Sequence, residues 1–164
     1  MIYLLDANAL INSHKTWYAL HRVPEFWRWL VYHAEAGSIK MPSEIYGEIE
    51  GGNDALTEWV KEETHKKALL LVEESDLGKV QAVLSHYSAI LSDADVIKIG
   101  QDPFLVAAAM GHSDRVVVTA ETWDSKKQGA NKKVPNICEA CGVTWRTPIQ
   151  LINELDFTTA WDLL

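Results

Sequence analysis

Cysteines, long apolar runs and targeting segments are scarce in this 164-residue chain, and each shortage removes a class of protein. Two cysteines, Cys138 and Cys141, are too few for a disulfide-stapled secreted scaffold. No apolar run approaches the roughly 20 residues of a membrane span. The apolar start at residues 1–5 is too short for a signal peptide and lacks its basic flank. We therefore expect a cytoplasmic protein with no membrane segment.

Positive charge is also in short supply, with 15 Lys and Arg residues against 23 Asp and Glu residues and a net charge of −8. This balance argues against a protein that coats nucleic acid through its whole surface. It allows a small basic patch beside an acidic site, because metal ions supply the positive charge that the acids remove. Residues 125–133 contain no acid and carry our candidates for phosphate contacts: Lys126, Lys127, Lys132 and Lys133. A solvated connecting loop is an equally open interpretation.

Strand-like and helix-like segments alternate along the whole chain, and this alternation predicts an α/β fold. The segment at residues 1–5 is apolar without polar alternation, which is typical of a strand buried on both faces of a parallel sheet. We expect one domain over residues 1–164, with helices on both faces of a central, mostly parallel five-stranded sheet. The expected strands lie at residues 1–5, 38–41, 68–72, 115–119 and 142–145.

Acidic residues stand at the ends of several of these elements. Asp6 follows the first strand, Glu48 lies on the helix after the second, and Asp102 stands where a buried helix begins. Glu121 comes just after the fourth strand, with Asp124 close behind it. The carboxyl ends of parallel strands meet at one edge of the sheet, where α/β proteins bind their ligands. We therefore expect these acids to converge on one site.

Clustered carboxylates need a cation if they are to stay ionised side by side. Oxygen ligands suit Mg²⁺ or Mn²⁺ rather than zinc, and such ions serve phosphate chemistry. Each acid also has a plainer interpretation. Asp6 or Asp102 could serve as a helix cap, and Glu48 could belong to a solvated helix face. On the residues alone, both interpretations remain open.

The order and spacing of four short motifs resemble those of the PIN domain family. The motifs are LLDAN at 4–8, PS-x4-EI at 42–49, D-x2-LVAAA at 102–109 and VT-x-E-x2-D at 118–124. More narrowly, the chain resembles the DUF4411 group of PIN-like proteins, through FW-x-WL at 26–30 and VPNIC at 134–138. The resemblance extends through essentially the whole chain and implies a three-layer α/β/α PIN-like fold.

The resemblance also implies a function, that of a Mg²⁺- or Mn²⁺-dependent endoribonuclease. Many bacterial members are toxins of type II toxin–antitoxin pairs. The implied partners are an RNA substrate that the four lysines of residues 125–133 would contact, an antitoxin protein and a second copy of the chain in a homodimer.

The family's functional residues carry over by position. The catalytic and metal-binding acids are Asp6, Glu48, Asp102 and Glu121, with Asp124 as a further metal ligand. Glu121 stands where the family often has Asp or Asn. Glu44, one turn before Glu48 on the same helical face, is the alternative second acid. Asn8 and Thr119 match polar positions that orient carboxylates or waters.

Other functions fit the residues less well. A phosphatase of the haloacid dehalogenase type also begins with an apolar strand ending in Asp, but it needs a second Asp where this chain has Asn8. A catalytically inactive PIN-fold module that binds RNA or protein remains an open alternative.

Cys138 and Cys141 have the spacing of half a zinc site, but no second pair follows them. We expect them to be reduced structural thiols.

Overall fold

The computed structural model describes residues 1–163 as an α/β fold built on a parallel sheet. Its strands are β1 (Ile2–Leu5), β2 (Ile39–Lys40), β3 (Arg115–Val118) and β4 (Trp145–Arg146). They lie side by side in the order β2-β1-β3-β4, and each neighbouring pair is parallel. Parallel neighbours need crossover connections, which helices provide here.

The described residues form ten α-helices and two short 3₁₀ turns, at Gly129–Asn131 and Trp161–Leu163. The α-helices are α1 (Ala7–Lys15), α2 (Pro24–Glu35), α3 (Ser43–Glu50), α4 (Ala55–Lys61), α5 (Glu63–Leu69), α6 (Leu77–Ser85), α7 (Asp93–Ile99), α8 (Asp102–Ala109), α9 (Val134–Ala140) and α10 (Pro148–Glu154). Among residues 1–163, no helix combines the length and the hydropathy that crossing a membrane requires.

The prediction of five strands is wrong, because the sheet within residues 1–163 has four. The expected strand at 68–72 is replaced by the end of α5, followed by a single bridge between Leu70 and Met41. The backbone N–H of Leu71 donates to the Met41 carbonyl at 2.8 Å, and no longer ladder forms. A short apolar run is compatible with a buried helix end as well as with a strand, so the pattern did not distinguish them.

The two central strands, β1 and β3, form the middle of the core. Three consecutive residues of β1, at positions 3–5, are at most 6% exposed. Successive strand residues point to opposite faces, so this burial means that both faces of the sheet are covered. The register pairs Leu5 with Val118, and the two strands therefore end at the same edge. Asp6 and Thr119, which follow them, emerge next to each other.

The aromatic residues of α2 belong to the core. Phe26, Trp27 and Trp29 are at most 3% exposed. The indole N–H of Trp27 donates to the carbonyl of Tyr18 at 2.6 Å, which pairs the polar atom of this buried ring. These rings therefore pack the protein interior and are not platforms for nucleobases.

Candidate metal centre

Asp6 lies at the carboxyl end of β1 and is only 3% exposed. Its Oδ2 accepts a hydrogen bond from the Asn8 side-chain amide at 2.6 Å and another from the Thr119 hydroxyl at 2.7 Å. Burial raises the pKa of Asp6 to about 6, although these hydrogen bonds oppose the rise. Asp6 also precedes α1, but its side chain makes no capping hydrogen bond. Hydrogen bonds from the Asn8 amide and the Thr119 hydroxyl therefore hold the carboxyl group in place.

Asn8 and Thr119 connect the ends of the two central strands around Asp6. The Asn8 side-chain oxygen accepts a hydrogen bond from the backbone N–H of Ala120 at 2.8 Å. The Thr119 hydroxyl in turn accepts from the backbone N–H of Glu121 at 3.2 Å. Both polar positions that the sequence singled out therefore contact Asp6 and fix its orientation.

Asp102 is the first residue of α8, and Gln101 occupies the N-cap position before it. The interpretation of Asp102 as a helix cap is therefore wrong. Burial first, and then the charges of Asp6, Glu121 and Glu48, raise the pKa of Asp102 to about 8, while Lys133 opposes the rise. These charge effects mean that acids from separate elements lie near one another at this edge of the sheet.

Glu48, and not Glu44, is the acid of α3 that joins this group. The pKa of Glu48 is raised by desolvation of its carboxyl group and by the charge of Asp6, and the backbone N–H of Gln101 opposes the rise. Glu44 instead accepts hydrogen bonds from the hydroxyls of Ser75 at 2.6 Å and Ser43 at 3.0 Å. Those contacts give Glu44 a separate environment.

Glu121 reaches the same group from the loop after β3, but both of its oxygens are already engaged. One accepts from the backbone N–H of Val134 at 2.7 Å, at the start of α9. The other accepts from the Lys133 ammonium at 3.2 Å. Glu121 therefore ties α9 to the sheet edge while its charge still acts on Asp6 and Asp102.

Asp124 has a different local environment, because its Oδ1 accepts from the backbone N–H of Lys126 within a turn. Asn136 of α9 holds this turn in place. Its side-chain oxygen accepts from the backbone N–H of Asp124 at 3.3 Å, and its amide donates to the Asp124 carbonyl at 3.0 Å. The structure thus fixes the backbone of the turn that carries Asp124.

The four lysines of the loop at 125–133 divide into two pairs. Lys126 and Lys127 are exposed. The ammonium of Lys132 donates to the His86 carbonyl at 2.7 Å, and Lys133 is the partner of Glu121. Trp123, which stands between Glu121 and Asp124 just before this loop, is 47% exposed. The exposed pair is therefore free to meet a phosphate chain, whereas the other pair already has partners within the protein.

Sequence reasoning overlooked Tyr87, Gln101 and Asn136. Tyr87 is 2% exposed, and its hydroxyl has no hydrogen-bond partner within residues 1–163. The charges of Asp102 and Glu121 act on this hydroxyl and raise its pKa in addition to burial. A lone tyrosine after a helix carries no local signal, and the charges that act on its hydroxyl emerge only from the packing.

Cys138 and Cys141 are both free thiols, with Cys138 fully buried. Burial raises the pKa of each thiol, which disfavours the reactive thiolate. Nothing about their environment calls for a redox function.

The donor chemistry of the acid group suits Mg²⁺ or Mn²⁺, which prefer carboxylate oxygens. Burial first, and then the charges of neighbouring acids, hold the carboxyl groups of Asp6 and Asp102 at raised pKa values, and a divalent cation would relieve that repulsion. As the side chains stand, however, residues 1–163 contain no group of three or more His, Cys, Asp or Glu side chains arranged to hold a metal ion. The residues fit the ion in kind, and binding requires the carboxylates to draw closer.

The fold and the site together define an α/β protein with a carboxylate cluster at the carboxyl edge of a parallel sheet. The chain belongs to the family described as Domain of unknown function (DUF4411), whose model matches residues 3–159. No curated protein matches the chain.

Proposed function

We propose that the chain is a PIN-like, Mg²⁺- or Mn²⁺-dependent endoribonuclease. The observation that carries this proposal is the meeting of Asp6, Glu48, Asp102 and Glu121, which come from separate elements, at one edge of the sheet. Burial and the charges of neighbouring acids raise the pKa of Asp6, Glu48 and Asp102, and acids perturbed in this way are typical of functional sites. A solvated helix face or a helix cap would not bring them together.

Asp6, Glu48 and Asp102 are the residues that would hold the cation. A bound divalent ion supplies an activated water and neutralises charge on the phosphate during hydrolysis. Thr119 and Asn8 keep the Asp6 carboxylate oriented through their hydrogen bonds. The carboxylates of Glu48 and Asp102 would complete the oxygen set from two other elements.

Glu121 and Lys133 form the ion pair at the border of this site. Because both oxygens of Glu121 are engaged, we assign it the positioning of Lys133 and α9 rather than direct contact with the ion. An RNA phosphate would compete with Glu121 for the Lys133 ammonium. Lys126 and Lys127 would add contacts to the phosphate backbone of the RNA, and such contacts carry no sequence preference.

The biological part of the proposal follows the family resemblance. We propose that the chain acts as the toxin of a type II pair, restrained by an antitoxin protein, and that it forms a homodimer. Inhibition of cleavage by the product of a neighbouring gene, and the mass of the chain in solution, are the measurements that test these points.

The rival proposal is a catalytically inactive module with the same fold. The specific observation in its favour is that no metal-holding group is preformed within residues 1–163. Calorimetric titration with Mn²⁺ separates the two proposals. An active enzyme binds Mn²⁺ and loses that binding in Asp102→Asn, whereas an inactive module has no site to lose.

Cleavage of a panel of fluorogenic RNA substrates tests the proposed activity. We expect cleavage by the wild type with Mn²⁺, none with a chelator and none by Asp6→Asn. Asp114→Asn is the matched control, because Asp114 is an exposed acid outside the group. Equal cleavage by the wild type and Asp6→Asn would overturn the assignment.

A further inference from the structure

Trp123 presents a large aromatic ring to solvent just past the carboxyl end of β3. It is 47% exposed, whereas Trp27 is buried in the core. It lies two residues after Glu121, whose backbone N–H donates to the Thr119 hydroxyl at 3.2 Å, and that hydroxyl donates to Asp6 at 2.7 Å. Two residues span at most about 7 Å. Trp123 therefore stands close to the sheet edge that ends at Asp6.

The backbone around Trp123 is held on both sides by α9. On one side, Glu121 accepts a hydrogen bond from the backbone N–H of Val134 at 2.7 Å. On the other side, the side chain of Asn136 bonds to the N–H and the carbonyl of Asp124, at 3.3 and 3.0 Å. A side chain on a fixed backbone loses little freedom when it binds a ligand, so more of the contact energy is left for affinity.

Two exposed lysines follow within the same turn, residues 123–127, which we call the Trp123 turn. The Asp124 carboxylate accepts from the backbone N–H of Lys126 at 2.9 Å, and the Asp124 carbonyl accepts from that of Lys127 at 3.2 Å. These bonds keep the ring and both lysines on one short, ordered stretch of chain. Within residues 1–163, neither of the two ammonium groups forms an ion pair.

The acids on either side of Trp123 already have donors within the protein. Glu121 is paired with the Lys133 ammonium at 3.2 Å, and Asp124 accepts the backbone N–H of Lys126. Residues 125–133 include no acid. The charges of Lys126 and Lys127 are therefore left for an anion from outside.

A flat aromatic face beside two ammonium groups suits a ligand that combines flat rings with a chain of phosphates. A nucleic-acid strand has this composition. In a duplex the bases are stacked on one another, so a side chain on the surface meets mainly phosphates and sugars. A single strand offers both its bases and its phosphates, and aromatic side chains beside a basic surface are the usual means of binding it.

We propose that the Trp123 turn binds single-stranded RNA, with the Trp123 indole stacked on an unpaired base and with Lys126 and Lys127 in contact with phosphates of the same strand. This inference rests on the proposed RNA binding, but it requires neither cleavage nor a bound metal ion. It narrows the substrate class to RNA with exposed bases, such as a loop or an unpaired end.

Fluorescence anisotropy of a labelled single-stranded RNA of about 12 nucleotides, measured in chelator, tests this inference. Trp123→Leu keeps an apolar side chain and removes the ring, whereas Trp123→Phe keeps an aromatic face. Trp17→Leu is the matched control, because Trp17 is 81% exposed and follows the far end of α1. The competing ligands are the duplex of the same sequence, inorganic polyphosphate, which has the charge without bases, and free AMP.

We expect Trp123→Leu to weaken binding of the single strand by roughly 5–30-fold. This is the lower part of the range for a base on an aromatic side chain, because about half of the Trp123 surface is already covered. Trp123→Phe should retain most of the affinity, and Trp17→Leu should bind as the wild type does. Polyphosphate should bind every variant equally, and duplex binding should not respond to Trp123→Leu.

Unchanged RNA affinity in Trp123→Leu would overturn the inference, as would an equal loss in Trp123→Phe or in Trp17→Leu. A matching loss of polyphosphate binding would overturn it too, since the loss would then come from a disturbed turn. AMP that competes as well as the strand, nucleotide for nucleotide, would make a free nucleotide the ligand instead.

The outcome for the proposed ribonuclease is separable from the outcome for Trp123. Absence of RNA binding by the wild type would overturn the stacking together with the proposed substrate. If the single strand binds with the expected dependence on Trp123 but is not cleaved when Mn²⁺ replaces the chelator, the proposed ribonuclease activity fails and the role of Trp123 stands.

Discussion

Replacing Asp102 with asparagine should stabilise the metal-free protein at alkaline pH. The pKa of Asp102 is raised from its ordinary 3.8 to about 8, mainly by burial and then by the neighbouring acids. A raised pKa means that the folded protein holds this proton more tightly than the unfolded chain. The resulting stability is complete below the unfolded value and is lost as the pH rises through about 8.

The size of this effect follows from the difference between the two pKa values. Each pKa unit corresponds to roughly 1.4 kcal/mol, so a rise from 3.8 to about 8 sets an upper limit near 6 kcal/mol. Because side chains rearrange and water enters as the carboxyl group ionises, we expect about half of that limit, roughly 3 kcal/mol. Asparagine keeps the shape of the side chain and never acquires the charge.

Urea unfolding in chelator at about pH 3.5, just below the unfolded pKa, and at about pH 9 measures this prediction. Asp102→Asn should match the wild type near about pH 3.5 and exceed its free energy of unfolding by roughly 3 kcal/mol near about pH 9. Asp114→Asn, the exposed control, should show no such pH dependence. Added Mn²⁺ should stabilise the wild type and leave Asp102→Asn unchanged. An Asp102→Asn protein less stable than the wild type near pH 9 would refute the reasoning.

Three further predictions concern other residues of the proposed site and the loop beside it. Glu48→Gln should weaken Mn²⁺ binding about tenfold by calorimetry, whereas Glu44→Gln should leave it unchanged because Glu44 bonds to serine hydroxyls. Thr119→Val should lower the free energy of unfolding by about 1–3 kcal/mol, since a buried carboxylate loses a donor, and Thr119→Ser should not. Replacing Lys126 and Lys127 with serine should flatten the salt dependence of RNA binding by about one log–log unit per lost contact; an unchanged slope would make the loop a mere connector.

The sequence predicted the central strands and the acid at the end of the first one, because that signal is local. An apolar run at 2–5 that stops at Asp6 has one stable arrangement, with both faces covered and the acid at the edge. The apolar run at 68–72 is compatible with either a strand or the end of a buried helix. Tertiary packing determines which of the two forms, and in this protein it is the end of α5.

The sequence could not show which of two neighbouring side chains belongs to the site, for a similar reason. Glu44 and Glu48 occupy one helical face, and only the positions of Ser75 and Gln101 determine their environments. The hydrogen bond from the Lys132 ammonium to the carbonyl of His86, which follows α6, is likewise a long-range contact. The orphaned hydroxyl of Tyr87 is defined by a missing partner, which no sequence pattern can reveal.

Anomalous diffraction from crystals of the protein soaked in MnCl₂ tests the central claim most directly. The account predicts a manganese peak at the carboxyl edge of the sheet, in contact with carboxylate oxygens of Asp6 and Asp102. The Asp6→Asn protein, soaked in the same way, should give no peak there. Manganese bound elsewhere, with the edge of the sheet empty in the wild type, would contradict the account.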